Sequence, residues 1–244
     1  MESRWKAIAG LPVARATLGL TAQLVLALAF ARTGKAEAWR QSAAWWVAWL
    51  VPVNLLTVGL VVRRERREGR RFADLFARSA EPPRKDLPWY LLALIVSVPL
   101  GVLPNLLLGR LLWDSPFAGA GPAFGAMPRE LVWALLLLVP VTQALAEPPL
   151  YLGYVLPHLL SDAPNPRRAI VGAAALMAGQ NAFFPLLFDA RFIVWRALMF
   201  LPLCLWLAWL VARRPTVLPY LAVAHGLMNV SLVLLVLRVS LPVG

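Results

Sequence analysis

Apolar runs of about 20 residues recur along this chain, and each is long enough for a helix to cross the ~30 Å hydrocarbon layer of a membrane. Of the 244 residues, 60% are hydrophobic and only 15% are charged. In lipid, a helix satisfies its own backbone hydrogen bonds, so such runs favour helices over isolated strands. The sequence therefore predicts an all-α fold, a polytopic transmembrane helical bundle, and excludes a soluble globular domain.

We predict about seven membrane spans, separated by short polar or proline-rich connections. Two regions follow from this division: an N-terminal region, 1–128, with three spans and a basic cytoplasmic loop over 63–87, and a C-terminal core over 129–238. Seven spans would place the two termini on opposite sides of the membrane. The predicted spans cover 11–31, 43–62, 88–108, 129–158, 169–188, 192–211 and 216–237.

The net charge of +12 is explained by membrane topology rather than by nucleic-acid binding, because most of the 24 Lys and Arg residues fall in connections between spans. The positive-inside rule, with Arg15 counted on the N-terminal side, predicts a cytoplasmic N-terminus. Arg196 is predicted to reach the opposite interface from the start of the sixth span. These features are typical of a multi-pass protein in the cytoplasmic (inner) membrane of a bacterium, whose immediate partners are membrane lipids.

The fourth span contains a carboxylate, Glu147, followed at once by Pro148 and Pro149. A charged side chain at the centre of a membrane helix costs about 2.5 to 3.5 kcal/mol on insertion scales, so such residues usually face the protein interior and mark function. The two prolines lack N–H groups and restrict the residue before them. We therefore predict a kink or break in the helix at Glu147.

Three more polar residues, Asn181, His225 and Asn229, lie inside later spans. Counted from the basic residues at the cytoplasmic ends, Glu147, Asn181 and His225 each lie about three helical turns deep, or roughly 16 to 20 Å. His225 and Asn229 are four residues apart and share one face. Each residue alone could make an ordinary interhelical hydrogen bond, but together they predict one polar site at mid-membrane.

At these residues the chain resembles the CPBP family, the CAAX proteases and bacteriocin-processing enzymes. The resemblance covers 129–237 and is strongest at Gly-Tyr-Val-Leu-Pro over 153–157 and at the HxxxN spacing of His225 and Asn229. It implies a four-helix core and a glutamic-type endopeptidase mechanism. In that mechanism Glu147 would be the general base on water, Asn181 would hold that water, and His225 and Asn229 would stabilise the oxyanion.

Four positions depart from the family's EExxxR and FxxxH motifs. Pro148 and Leu152 replace the second Glu and the Arg of the first motif. The replaced Glu and Arg have opposite charges, so losing both leaves no buried charge unpaired. Met177 and Asn181 replace the Phe and the His of the second motif. Asn can hydrogen-bond a water molecule but cannot titrate near neutral pH. The chain has two His residues in total, so no two-His zinc site forms at this depth, and no cofactor or metal is predicted.

Two functions remain open from these residues. The first is an intramembrane endopeptidase acting on a membrane-anchored protein or a C-terminal peptide tail. The second is a catalytically silent relative that binds a tail, a lipid or a partner protease in protein sorting or processing. A small-solute transporter is disfavoured, because no inverted repeat or pair of broken helices is evident in the sequence.

Overall fold

The computed structural model describes residues 2–76, 85–119, 121–162 and 165–241, with side chains from residue 8 onward. This part of the chain is helical and contains no strand, which confirms the predicted all-α class. Short 3-10 turns and one π-helical segment connect or extend the α-helices. The α-helices are α1 (Glu2–Arg32), α2 (Ala38–Ala44), α3 (Trp46–Arg67), α4 (Leu87–Trp113), α5 (Arg129–Pro148), α6 (Leu156–Asp162), α7 (Pro166–Gly179), α8 (Ala190–Leu198), α9 (Leu201–Arg213) and α10 (Leu218–Ser240).

The described residues form six helices that are long and apolar enough to cross a membrane, so the predicted number of seven is wrong. In place of the predicted fifth span, the structure has the 14-residue helix α7, which is followed by a 3-10 turn, Gln180–Phe183. Gln180 and Asn181 interrupt the apolar run there. The protein is a multi-pass integral membrane protein, but the placement of its termini on opposite sides, which followed from seven spans, loses its basis.

Large apolar side chains cover the outside of the bundle, as expected for a surface in contact with lipid. Leu111 is 78% exposed and Ile95 70% exposed, both on α4. The buried face of α4 carries only small residues, which let its backbone approach neighbouring helices closely. These are Ala93, Ser97, Gly101 and Gly109.

Helix α5 lies at the centre of the bundle, packed against α3 and α10, and it continues as the π-helical segment Pro149–Val155 and then as α6. All residues of the π-helical segment are buried. Helices α1 and α3 also contribute polar side chains to this centre, where Arg15 of α1 donates to Thr57 of α3. The division of the chain at residue 128 stays a prediction.

Candidate functional site

The four residues singled out by the sequence, Glu147, Asn181, His225 and Asn229, all line one cavity inside the bundle. Its volume is about 360 Å³. Three different elements bring them together: α5 carries Glu147, the 3-10 turn after α7 carries Asn181, and α10 carries the other two. The four residues therefore lie around one cavity, whereas their common depth in the membrane and the roles assigned to them stay predictions.

The Glu147 carboxylate has three neighbours around a single oxygen, Oε2. Gln143, one turn earlier on α5, donates to it from Nε2 at 3.0 Å. His225 Nε2 lies at 3.7 Å and Arg15 Nη2 at 3.8 Å, both longer than a hydrogen bond. The carboxylate is therefore held by one hydrogen bond and flanked by an imidazole and a guanidinium.

His225 presents a buried ring nitrogen to this carboxylate, and that nitrogen has no hydrogen-bond partner among the described residues. Asn229, one turn later on α10, donates from Nδ2 to the His225 carbonyl at 2.8 Å. The amide group of Asn229 thus faces its own helix. Of the two residues, His225 is the one whose side-chain polar atom lacks a partner among the described residues, and it donates only with a proton on Nε2.

Asn181 is also turned towards its own helix. Its Nδ2 contacts the carbonyls of Met177 and Ala178 at 3.4 and 3.1 Å, so the amide oxygen is the group left for a ligand. That oxygen accepts hydrogen bonds, so it can receive an O–H from water. The family's His, which Asn181 replaces, could also donate; this Asn side chain uses its donor on the backbone.

Arg15 is the main functional-site residue that sequence reasoning missed, because it was placed with the cytoplasmic charges. It is only 1% exposed, and α1 carries it into the bundle beside Glu147. Its guanidinium donates to Gln180 Oε1 at 2.8 Å, to Gln143 Oε1 at 3.1 Å and to Thr57 Oγ1 at 3.2 Å. The signal in the sequence was its position inside an apolar run rather than before it.

Gln180 connects this network to the π-helical segment. Its Oε1 accepts from Tyr151 at 3.0 Å as well as from Arg15, whereas its buried Nε2 has no partner among the described residues. The neighbouring Asn181 drew attention in the sequence, and Gln180 did not. Only the turn geometry shows that both side chains line the cavity.

The helix does not break at Glu147, so a break is excluded there, whereas the predicted kink stays a prediction. Pro148 and Pro149 keep right-handed helical dihedral angles, and the Leu156 N–H bonds the Tyr151 carbonyl, five residues back. Two consecutive prolines remove two N–H donors from the ladder, and a wider π turn is a known way for a helix to absorb such a local defect. Glu147 therefore projects from a continuous helix.

A second polar cluster lies at the far end of this helix, around Glu68. The Tyr154 hydroxyl donates to Glu68 Oε1 at 3.0 Å, and His158 Nε2 lies 3.1 Å from Oε2. Arg70 pairs with Glu68 and with the fully buried Glu65. The segment predicted as a basic loop over 63–87 is thus bonded to the helix bundle at its first residues.

The Glu68 cluster predicts a pH-dependent stability. Partial burial raises the pKa of the Glu68 carboxyl, but the Tyr154 hydroxyl and the His158 ring outweigh burial and hold that pKa below its usual 4.5. A lowered folded-state pKa contributes stability above the ordinary pKa, and this is lost as pH falls through the folded value. We expect Glu68→Gln to cost about 1 to 3 kcal/mol near neutral pH. Thermal unfolding between about pH 7 and pH 3 should show the difference from wild type become smaller as the pH falls below 4.5.

The exposed carboxylate Glu130 gives the control for this measurement, since Glu130→Gln removes a charge from the surface of α5. It should change stability little at any pH. A Glu68→Gln effect that is equally large at pH 7 and pH 3 would contradict the assignment, because it would be independent of the carboxylate's charge.

Among the described residues, no group of three or more His, Cys, Asp or Glu side chains is arranged to hold a metal ion. The single cysteine, Cys204, is buried and also lines the cavity. Comparison with family models, with curated proteins and with solved structures gives no match for this chain. A functional assignment therefore rests on the residues and geometry of the cavity.

Proposed function

We propose that this protein is an intramembrane endopeptidase of the kind seen in the CPBP family, which cleaves membrane-anchored proteins or peptide tails with a glutamate-activated water. One observation carries the proposal. A carboxylate and an imidazole, Glu147 and His225, lie 3.7 Å apart in the wall of a cavity inside a membrane-spanning bundle. Intramembrane ionisable residues are costly and usually functional, and this pair has the chemistry of a base and a hydrogen-bond donor.

In the proposed reaction, Glu147, His225 and Asn181 each have one role. Glu147 takes a proton from water, and the water oxygen forms a bond to the scissile carbonyl carbon. The oxyanion that develops accepts a hydrogen bond from His225 Nε2–H, a donor with no other partner among the described residues. The carbon–nitrogen bond then breaks, and the proton on Glu147 passes to the leaving amine. Asn181 Oδ1 accepts the second hydrogen of the attacking water.

Asn229 has a different part in this scheme. Its Nδ2 donates to the His225 carbonyl at 2.8 Å, so it must leave that carbonyl before it can act as a second oxyanion donor. In its present position it fixes the turn of α10 that carries the imidazole. Asn229 therefore acts first by positioning His225.

The walls of the cavity indicate the kind of substrate. Apart from its polar end, the cavity is lined by aromatic and aliphatic side chains, and it lies within a bundle whose outer surface is apolar. An apolar stretch of a membrane-anchored chain fits such walls, because it loses no hydration on entry. We place the protein in the inner membrane of a bacterium with its N-terminus in the cytoplasm, as the distribution of basic residues favours.

The test is cleavage of doubly tagged membrane-tail reporters by the wild-type protein and by Glu147→Gln and His225→Ala variants of equal abundance. Loss of a general base is expected to lower the rate about 10²- to 10⁴-fold. Cleavage in H₂¹⁸O by purified protein should place one ¹⁸O atom in the new carboxyl group. Glu130→Gln, on the exposed surface of α5 and outside the cavity, is the matched control. Unchanged cleavage by Glu147→Gln would exclude the mechanism.

A second function, binding without hydrolysis, is favoured by one specific observation. Glu147 Oε2 already accepts from Gln143, and the Asn181 amide group is bonded to its own helix. A silent relative would keep this closed arrangement to hold a tail or a partner protease. Retention of reporter tails by wild type and Glu147→Gln alike, without any cleaved product, would favour this alternative.

A further inference from the structure

A second cationic side chain, Arg196, lines the same cavity, although the sequence predicted that it would reach the membrane interface. It is only 5% exposed. Its Nε donates to the Asn181 carbonyl at 3.1 Å and its Nη2 to the Phe184 carbonyl. The guanidinium lies 5.1 Å from the ring of Trp46 and 5.9 Å from that of Trp195. Both carbonyls are neutral acceptors, so the charge of Arg196 is opposed only at a distance, by Glu147.

The charges on the cavity wall do not balance. Arg15 and Arg196 are cationic, whereas Glu147 is the one acidic residue among the lining side chains that the structure describes. Glu147 lies within 3.8 Å of Arg15. In the described part of the chain, no carboxylate oxygen lies within 4.0 Å of the Arg196 nitrogens. Glu147 is thus shared between two buried cations, and the resulting excess of positive charge favours an anionic ligand.

The unpartnered polar atoms of the cavity point to the same kind of ligand. Gln180 Nε2 and His225 Nε2 are both buried without a hydrogen-bond partner in the described structure. Gln180 Nε2 can only donate, and the His225 nitrogen donates in one tautomer or when the ring is protonated. Arg196 adds further N–H groups, since Nε and Nη2 are its only atoms with a protein acceptor among the described residues. A ligand that carries hydrogen-bond acceptors and a negative charge would pair with these donors and balance the excess positive charge of the cavity wall.

We propose that the cavity binds the carboxylate of an apolar chain, with Arg196 as the residue that recognises it. A guanidinium matches a carboxylate with two parallel hydrogen bonds, and the two indole rings hold it in place. The apolar chain of the ligand would lie along the aliphatic and aromatic wall. That wall is formed by Phe200, Leu203, Leu207, Leu232 and Leu235.

Two sources supply this chemistry: the free C-terminus of an apolar membrane peptide and a long-chain fatty acid. The inference rests on the proposed function in taking this cavity as the substrate site, yet it concerns binding and holds with or without hydrolysis. If the source is a peptide C-terminus, Arg196 selects substrates whose tail ends inside the cavity rather than chains that continue through it.

The experiment compares acids with their uncharged counterparts on purified protein in nanodiscs. The probes are a fluorescent Leu-Ala nonapeptide with a free C-terminus, the same peptide as its C-terminal amide, oleic acid, and oleyl alcohol. We expect one acid to bind at least about tenfold more tightly than its neutral partner, since hydrogen bonds to charged groups have that strength. Glu147→Gln, which cannot turn the peptide over, should keep or increase this preference because it removes the opposing negative charge.

Arg196→Gln should abolish the preference, and Arg196→Lys should retain part of it, because Lys keeps the charge but not the planar fork. Arg213→Gln is the control, since Arg213 also lies over a tryptophan ring, that of Trp209, but is exposed and outside the cavity. Size-exclusion profiles show which variants fold. If Arg196→Gln does not fold, the acid preference of the wild type and its partial retention in Arg196→Lys decide the question.

Equal binding of acid and neutral probes to both wild type and Glu147→Gln would overturn the inference, and so would an acid preference that survives Arg196→Gln. Preference confined to the peptide pair or to the oleyl pair supports the inference and identifies the source. Acid binding without any cleavage would leave the inference standing and count against the endopeptidase. Cleavage without acid preference would overturn the inference and support the endopeptidase.

Discussion

Replacing Arg15 by Met is expected to destabilise the folded protein by about 3 to 5 kcal/mol, because it leaves Glu147 as a buried charge without its nearest cation. The guanidinium lies 3.8 Å from Glu147 Oε2 and also donates to Gln180, Gln143 and Thr57. Helix α1 is thus joined to α3, α5 and the turn after α7 through one side chain. Met fills a similar volume and makes none of these hydrogen bonds.

The double variant Arg15→Met/Glu147→Gln separates charge from packing. Removing both members of a buried ion pair is often close to neutral, whereas removing one is costly. We therefore expect the double variant to recover most of the stability that the single Arg15→Met change loses, with a coupling free energy of up to about 3 kcal/mol. Unfolding in a mixed-detergent titration measures all members of the cycle.

Arg213→Met is the control for this cycle, because it removes an exposed Arg at the end of α9. Its effect should stay within about 0.5 kcal/mol. If Arg15→Met and the double variant prove equally unstable, the hydrogen bonds of Arg15, rather than its charge, hold the centre of the bundle. That result would also remove the reason for calling Arg15 the counter-ion of Glu147.

The meeting of Glu147, Asn181 and His225 could be anticipated because polar residues in membrane helices avoid lipid and must therefore face inward. Equal depth along separate helices then limits which of them can meet. The sequence could not show which hydrogen bonds each side chain would make. Asn181 directs its amide group at its own helix, a choice that depends on the 3-10 turn in which it lies.

The two buried arginines show where sequence reasoning fails. Arg15 and Arg196 each lie a short way inside an apolar run, and a long side chain at that place can equally reach the interface or turn inward. Burial depends on what the neighbouring helices offer, such as the Gln180 oxygen for Arg15 and the Phe184 carbonyl for Arg196. No periodicity in a single helix contains that information.

The predicted number of membrane spans was wrong for a related reason. The run over 169–188 was predicted to be as long as the others, but it contains Gln180 and Asn181, whose backbone leaves the α-helix for a 3-10 turn. Their side chains face the cavity, so the helix ends where the polar site begins. The site itself shortens the predicted span.

Gly226→Val is expected to disrupt the contact between α10 and α5 and to separate His225 from Glu147. A Cβ atom at Gly226 would lie 2.7 Å from the Pro140 carbonyl oxygen and 3.1 Å from Ala144 Cβ. The first of these atoms is backbone at the centre of the bundle, which cannot move as a side chain can. Overpacking of this kind costs about 1 to 3 kcal/mol and more where backbone is involved.

The functional loss should exceed the loss of stability, because Gly226 directly follows His225. If α10 shifts outward by about 1 Å, the 3.7 Å approach of His225 Nε2 to Glu147 lengthens, and misplacement on that scale costs about 10²-fold in rate. Cleavage and acid-probe binding are measured together with unfolding for Gly226→Ala and Gly226→Val. Cleavage and acid-probe binding should each decrease from wild type to Gly226→Ala and decrease further in Gly226→Val.

Gly59 provides the matched comparison, because it is also a glycine inside a membrane helix, α3, but a Cβ there meets no atom within 4 Å. Gly59→Ala and Gly59→Val should both leave cleavage and binding unchanged, and the Ala variant adds up to about 1 kcal/mol of stability through helix propensity. If Gly226→Val kept both activities at the level of Gly59→Val, α10 would have room to yield at this contact. The close approach of α10 to α5 would then not be what fixes His225 beside Glu147.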